Sequence, residues 1–298
     1  MSSFLRLTSG RRVGYAEWGQ LGGATVIHMH GMPGSRIERQ ADPSFYARLG
    51  VRLITPDRPG YGISDPNPAG TLLDWANDVA ELADRLEIPS FGVTALSGGG
   101  IYALALARRF PERLTGVAVT GCPSPLAGRG TLDGMRIMNQ LGIRTVQVAP
   151  SLLESGARAL SNLLRRHPQF FIELMNRDKA RPDRELLARP SVRMAAIDTL
   201  REAIHHGTGG YVQDVKLLAS PWGFSPADIV APVSIWHGDL DTVIPLRHAY
   251  RLAEEIPNVR LRICPGEAHM LMWSHLGEIL VEATGRKPAT ISGTAAVA

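Results

Sequence analysis

The sequence predicts an α/β protein: a mostly parallel central sheet of about eight strands, helices on both faces, and an all-helical insertion. Three observations carry this. β-prone apolar runs alternate with helix-prone runs over residues 1–122 and again from about 226, the rhythm of strand–helix–strand units. Ala24 to His30 and Phe91 to Leu96 are near-continuously apolar, as expected of strands covered on both faces. From 123 to 225 there is no strand pattern, only helical periods punctuated by prolines at 150, 168, 182, 190 and 221. The expected organisation is therefore a discontinuous core, 1–122 and 226–298, with an inserted helical unit at 123–225.

Taken in order, Phe4 to Leu7 and Val13 to Trp18 read as a hairpin turning at Ser9-Gly10. The strand at 24–30 ends in His30-Gly31-Met32-Pro33-Gly34-Ser35, and a helix is expected from roughly Ile37 to Leu49. Val51 to Thr55 is a short strand running into Asp57-Arg58-Pro59-Gly60-Tyr61-Gly62. Thr71 to Leu86 carries Leu72, Leu73, Ala76, Val79, Ala80, Leu82, Ala83 and Leu86 on one broad stripe, which marks an amphipathic helix. The strand at 91–96, a helix to Arg109 and a strand at 114–120 follow. In the insertion, Leu152, Leu153, Leu160, Leu163 and Leu164, then Met194, Ile197, Leu200, Ala203 and Ile204, recur at helical spacing. The alternation resumes with strands at 233–237 and 260–264 and helices at 246–255 and 270–283. The end, 285–298, is small and polar and is expected to fray.

Composition is that of an ordinary globular chain: 298 residues, 44% hydrophobic and 20% charged. No apolar run approaches the roughly 18 residues that span a bilayer, and the N-terminus lacks the form of a signal peptide. Cys122 and Cys264 each end an apolar run and are expected to be buried thiols, with a cytoplasmic location as the default. The net charge of +4 is uneven: residues 123–225 hold 14 Lys and Arg against 9 Asp and Glu. A solvated basic face explains this, and so does attraction of an acidic substrate or carrier. No basic run is dense enough for nucleic acid.

Thr94-Ala95-Leu96-Ser97-Gly98-Gly99-Gly100 joins a β-prone run to a helix-prone one. A strand turning sharply into a helix at a serine strains the serine backbone and exposes its hydroxyl at the end of the sheet. Small residues two before and two after, Ala95 and Gly99, answer the steric demand of that turn, although glycine is usual where Ala95 stands. Glycine-rich strand–helix turns also bind phosphate. This one lacks both Gly-x-Gly-x-x-Gly and a Gly-Lys-Ser/Thr ending.

A serine nucleophile needs a base, and the base an orienting acid. In open parallel sheets these groups gather at the carboxyl ends of strands. Two late strands are followed by Gly238-Asp239-Leu240-Asp241-Thr242-Val243-Ile244-Pro245 and by Pro265-Gly266-Glu267-Ala268-His269. Ser97, an aspartate at 239 or 241, and His269 thus occur in the order nucleophile, acid, histidine.

These segments resemble the α/β-hydrolase superfamily, over 1–122 and about 226–284. The run 237–245 is similar to its acid segment, 265–269 to its histidine segment, 57–64 to the loop after its fourth strand and 30–34 to its oxyanion loop. The resemblance implies a capped, esterase-like serine hydrolase with 123–225 as the cap. Ser97 would attack an acyl carbonyl, His269 would carry the proton, and Asp241, aligned by Pro245 in preference to Asp239, would hold the imidazole. The backbone N–H groups of Met32 and Gly98 would bind the oxyanion. His30, Gly31, Met270 and Trp273 are candidates for the substrate pocket. The expected ligand is a small acyl substrate (ester, lactone or thioester), with no cofactor, metal, nucleic acid or membrane.

The remaining residues admit other roles. His28 and His30 could form a metal pair but fit structural roles. His205 and His206 should point apart on a helix, and His237 and His248 fit packing or surface roles. Glu267 fits a loop carboxylate, and Phe170, Phe171, Tyr211, Trp222 and Phe224 fit core positions. Epoxide-opening and halide-removing relatives use an aspartate where Ser97 stands. Proline iminopeptidases typically place tryptophan where Gly98 stands. The alternatives on the same scaffold are a cyclase, an acyltransferase, a carbon–carbon bond hydrolase, a perhydrolase or a weakly catalytic binding protein.

Overall fold

The computed structural model describes residues 2–40, 42, 44–126 and 130–286. Among these residues eight strands form one sheet: β1 Ser2–Arg6, β2 Arg12–Gly19, β3 Ala24–Met29, β4 Val51–Pro56, β5 Phe91–Leu96, β6 Leu114–Thr120, β7 Val233–Gly238 and β8 Val259–Cys264. Their order is β1-β2-β4-β3-β5-β6-β7-β8. The first two pairings are antiparallel and the others parallel. β5 lies between β3 and β6 and is buried along its whole length.

The core helices are α1 Phe45–Arg48, α2 Leu72–Arg85 and α3 Gly99–Arg109. Helix α2 starts with a reciprocal capping box between Thr71 and Asp74. The expected helix over 37–49 is a correction: only α1 forms. The preceding side chains are drawn into buried polar contacts instead. Arg36 bonds Asp57 through its backbone N–H and its guanidinium, and Glu38 Oε1 accepts from Gly31 N. Pro43 also removes a backbone donor from the stretch.

Between β6 and β7 the described residues hold helices and no strand: α4 Ile137–Val148, α5 Pro150–Arg166, α6 Pro168–Asn176, α7 Arg181–Ala188, α8 Pro190–Ala203 and α9 Gly209–Ala219. The prolines at 150, 168, 182 and 190 stand in the first turn of their helices, where the missing N–H costs no helical bond. Leu164, Phe171, Ile172, Ile197 and Ile204 form a small core among these helices. The remaining helices are α10 Arg247–Glu255 and α11 Met272–Ala283.

Two larger cores cover the sheet. One gathers Trp75, Val79 and Leu82 of α2 and Ile101 and Leu104 of α3 against Ile27, Val93 and Val119. The other gathers Leu276, Ile279 and Leu280 of α11 against Val26, Leu53 and Trp236. Both cysteines are buried and free. Residues 287–298, most of the segment expected to fray, lie outside the described residues. Among the described residues no helix is long and apolar enough to cross a membrane.

Candidate active site

β5 delivers Ser97 to the carboxyl edge of the sheet. Ser97 has φ 54°, one of two non-glycine residues with positive φ among those described, and such a conformation costs of order 1–3 kcal/mol. The turn is held by Ser97 N donating to Thr120 O (2.8 Å) and Gly100 N donating to Ser97 O (2.9 Å). Its small residues answer close contacts. A Cβ on Gly99 would sit 2.3 Å from Met29 O, and one on Gly100 2.3 Å from Cys122 Sγ. Ala95 is fully buried, so its extra methyl packs into the core.

His269 follows β8 and Asp241 follows β7. Asp241 Oδ2 lies 2.8 Å from His269 Nδ1, and Asp241 Oδ1 accepts from Val243 N (2.8 Å) and Ile244 N (2.9 Å). Burial opposes ionisation of this carboxyl, but His269, His237 and the Ile244 N–H outweigh it and hold its pKa below the usual aspartate value. Gly121 has φ +54°, and a Cβ there would meet His269 Nδ1 at 3.0 Å and Asp241 Oδ2 at 3.3 Å, so the pair requires a glycine beside it. Asp239 is exposed and accepts from Gly266 N at 2.8 Å, bracing the loop before His269.

Ser97, His269, Met32, Gly98, Met270 and Trp273 all line one open cavity of about 1960 Å³. The structure therefore brings Ser97 and His269 to one space, although Ser97 Oγ makes no hydrogen bond among the described residues. Met32 and Gly98 are neighbours: a Cβ on Gly98 would sit 2.8 Å from Met32 Cβ. Neither backbone N–H has a protein acceptor among the described residues.

His30 and Gly31 do not line the cavity. His30 is fully buried, with Nδ1 2.9 Å from Gly31 O and Nε2 accepting from Arg58 N at 3.2 Å. Burial and the Arg58 charge push its pKa well below the usual histidine value, so it stays neutral. Arg58 lies behind this loop, donating to His30 O (2.5 Å) and Gly31 O (2.9 Å). His30 and Gly31 thus shape the loop that presents Met32 rather than the pocket surface.

The arrangement has a second layer that motif spacing did not reveal. Asp214 of α9 is 2% exposed and pairs with Arg58 at 2.6 Å. It also accepts from Tyr61 Oη (2.9 Å) and Tyr102 Oη (2.5 Å). Asp183 of α7 accepts from Met270 N at 2.8 Å. Glu202 of α8 meets Arg36 at 2.6 Å. A lone aspartate on an amphipathic helix carries no sequence signal for such contacts; only the buried position of Asp214 on α9 could have hinted at one.

The other histidines separate clearly. His28 is bonded to Thr94 Oγ1 and Glu38 Oε1, both at 3.0 Å. No group of three metal-ligating side chains occurs among the described residues. His237 and His248 are buried, the former 2.8 Å from Ile244 O and the latter 2.9 Å from Ser124 Oγ. His205 and His206 correct the expectation that they point apart. They lie past the end of α8, so helical geometry does not separate them, and their rings meet edge-on at 4.6 Å. Among the aromatics, Phe171 and Tyr211 line the cavity and Phe170 is 56% exposed, while Trp222 and Phe224 pack on the core.

Comparison with known proteins agrees with this architecture. The profile of the alpha/beta hydrolase fold family matches residues 24–276. A non-heme chloroperoxidase of Streptomyces lividans is 26% identical over 283 residues, covering 90% of this chain and 93% of that protein. A 2-hydroxy-6-oxo-6-phenylhexa-2,4-dienoate hydrolase of Burkholderia cepacia is 28% identical over 267 residues, covering 85% of this chain and 84% of that protein. Among solved structures, an esterase from Exiguobacterium antarcticum superposes with TM-score 0.71 at 20% identity, over 95% of this chain and 99% of that one. At that identity the likeness is one of fold.

Proposed function

The chain belongs to the alpha/beta hydrolase fold family, and from that premise we propose that it is a serine hydrolase working through an acyl-enzyme on Ser97. One observation carries the proposal: a left-handed Ser97 shares a cavity with His269, whose Nδ1 is held 2.8 Å from Asp241. That contact leaves Nε2 as the ring nitrogen available to the serine. Contacts between nucleophile and base are commonly loose until substrate arrives.

Ser97 Oγ attacks the carbonyl carbon while His269 Nε2 takes its proton. Asp241 keeps the ring in the correct tautomer and stabilises the imidazolium. The N–H groups of Met32 and Gly98 receive the oxyanion, each worth on the order of 10²–10³ in rate. His269 then protonates the leaving group, and water, activated by the same ring, releases the acid. Helices α4–α9 act as the cap, and the acyl compound is a carboxylic ester, lactone or thioester. A second proposal, carbon–carbon bond cleavage, draws on the hydrolase of Burkholderia cepacia and uses the same nucleophile position.

A fluorophosphonate probe should label Ser97. Ser97→Ala should abolish labelling and lower turnover of p-nitrophenyl esters by roughly 10⁴–10⁶. Equal ester cleavage by the parent and the variant would sink the assignment.

A further inference from the structure

The cavity holding Ser97 and His269 has an imbalance of charge. Arg39, Arg48, Arg136, Lys179 and Arg189 line it, against Glu38, Asp42 and Glu278. All three carboxylates are engaged. Glu38 lies 3.0 Å from His28 Nε2, Asp42 pairs with Arg48 at 2.8 Å, and Glu278 lies 3.4 Å from His275 Nδ1.

Three of the cations are engaged as well. Arg48 is taken by Asp42, Arg136 pairs with Asp178, and Arg39 lies over the Trp18 ring at 4.1 Å. Lys179 and Arg189 have no carboxylate within ion-pair distance among the described residues. Arg189 is exposed, so water screens it. Lys179, in the turn between α6 and α7, is half-buried. Burial pushes its pKa below the usual lysine value, against the pull of Asp183 and Asp241 and with the push of Arg136. Lys179 lines the same cavity as Ser97 and His269. Beside it in the lining, Asn176 Oδ1 is enclosed and has no hydrogen-bond partner.

Asp183 and Asp241 act on the Lys179 ammonium only beyond ion-pair distance, and a ligand anion in direct contact lowers the cost of enclosing it. The charges nearby set its size. A single carboxylate balances the single ammonium, and each further negative charge would add only repulsion from Asp183 and Asp241. Resting on the serine-hydrolase assignment, we propose that Lys179 anchors a carboxylate carried by the acyl substrate, with Asn176 Oδ1 free to accept from a neighbouring hydroxyl. The substrate class is thereby narrowed to acyl compounds bearing a free carboxylate.

The test is one of binding and does not need turnover. Monomethyl glutarate and its neutral counterpart dimethyl glutarate are titrated calorimetrically into the Ser97→Ala protein. Monomethyl glutarate should bind about tenfold tighter or better, equivalent to about 1.4 kcal/mol. Adding Lys179→Met should remove that preference, while Lys179→Arg, which keeps the charge, should retain most of it. Equal affinities in the Ser97→Ala protein overturn the anchor, as does failure of monomethyl glutarate to bind at millimolar concentration. A preference that survives in Lys179→Met overturns it too. If Lys179→Met does not fold, Lys179→Gln takes its place. Loss of Ser97-dependent ester cleavage would sink the hydrolase assignment separately, since these titrations read only the anion.

Discussion

The carboxylate of Asp183, on α7, accepts a hydrogen bond from the backbone N–H of Met270 at 2.8 Å, so the helical insertion grips the chain one residue beyond His269. Asp183 is 2% exposed and its second oxygen has no partner. The orientation of the proposed base thus depends on the docking of the insertion. Asp183→Ala should lower kcat on a neutral p-nitrophenyl ester roughly ten- to hundredfold through misplacement of His269. It should also cost about 1–3 kcal/mol of stability by orphaning the Met270 N–H. Asp183→Asn keeps an acceptor and should restore most of the rate. An Ala variant with parental kcat would remove Asp183 from any positioning role.

A second tie between insertion and core is ionic. Arg58 is fully buried and spans Asp214, His30 O and Gly31 O. Removing one partner of such a pair strands a buried charge, which costs about 3–5 kcal/mol. Asp214→Leu should therefore destabilise the fold by that amount in urea denaturation. Combining it with Arg58→Met should recover part of the loss. If Asp214→Leu unfolds at the parental midpoint, the pair is not holding α9 to the sheet.

Acid sensitivity follows from a buried histidine. His248 is pushed down to about 4, chiefly by burial and then by His237, Arg251 and Arg247, with Asp241 pulling the other way. In the unfolded chain it takes a proton near its ordinary 6.5. Between those values the unfolded state binds more protons, so stability rises with pH there. The contribution is fully present above about pH 6.5 and is lost as pH falls toward 4, amounting to on the order of 3 kcal/mol. Thermal unfolding of the parent should therefore show a falling Tm across that window. His248→Gln, which can still accept from Ser124, should flatten the slope. An unchanged slope in the variant would place the acid-labile group elsewhere.

Much of the strand–helix order was legible because both periodicities are local. β5 is apolar throughout, as a strand buried on both faces requires, and α2 carries its stripe and its Thr71 cap in the sequence itself. The 37–49 segment reads as a helix because its residues have helical propensity, while the fold uses Arg36 and Glu38 to satisfy Asp57 and the Gly31 N–H. His30 was misplaced for a related reason. Its loop motif marks where it lies along the chain, not whether its ring faces the cavity or the core.

Short-range patterning along the chain encodes the fold class, the run of helices between β6 and β7, and the loops on which Ser97, Asp241 and His269 stand. Which groups meet is a matter of packing in three dimensions. Asp241 rather than Asp239 lies 2.8 Å from His269, Asp183 reaches Met270, Asp214 neutralises Arg58, and among the described residues Lys179 has no carboxylate at ion-pair distance. Those outcomes depend on how the helices between β6 and β7 pack over the sheet. Contacts between residues 28 to 156 positions apart leave no periodic trace in the chain.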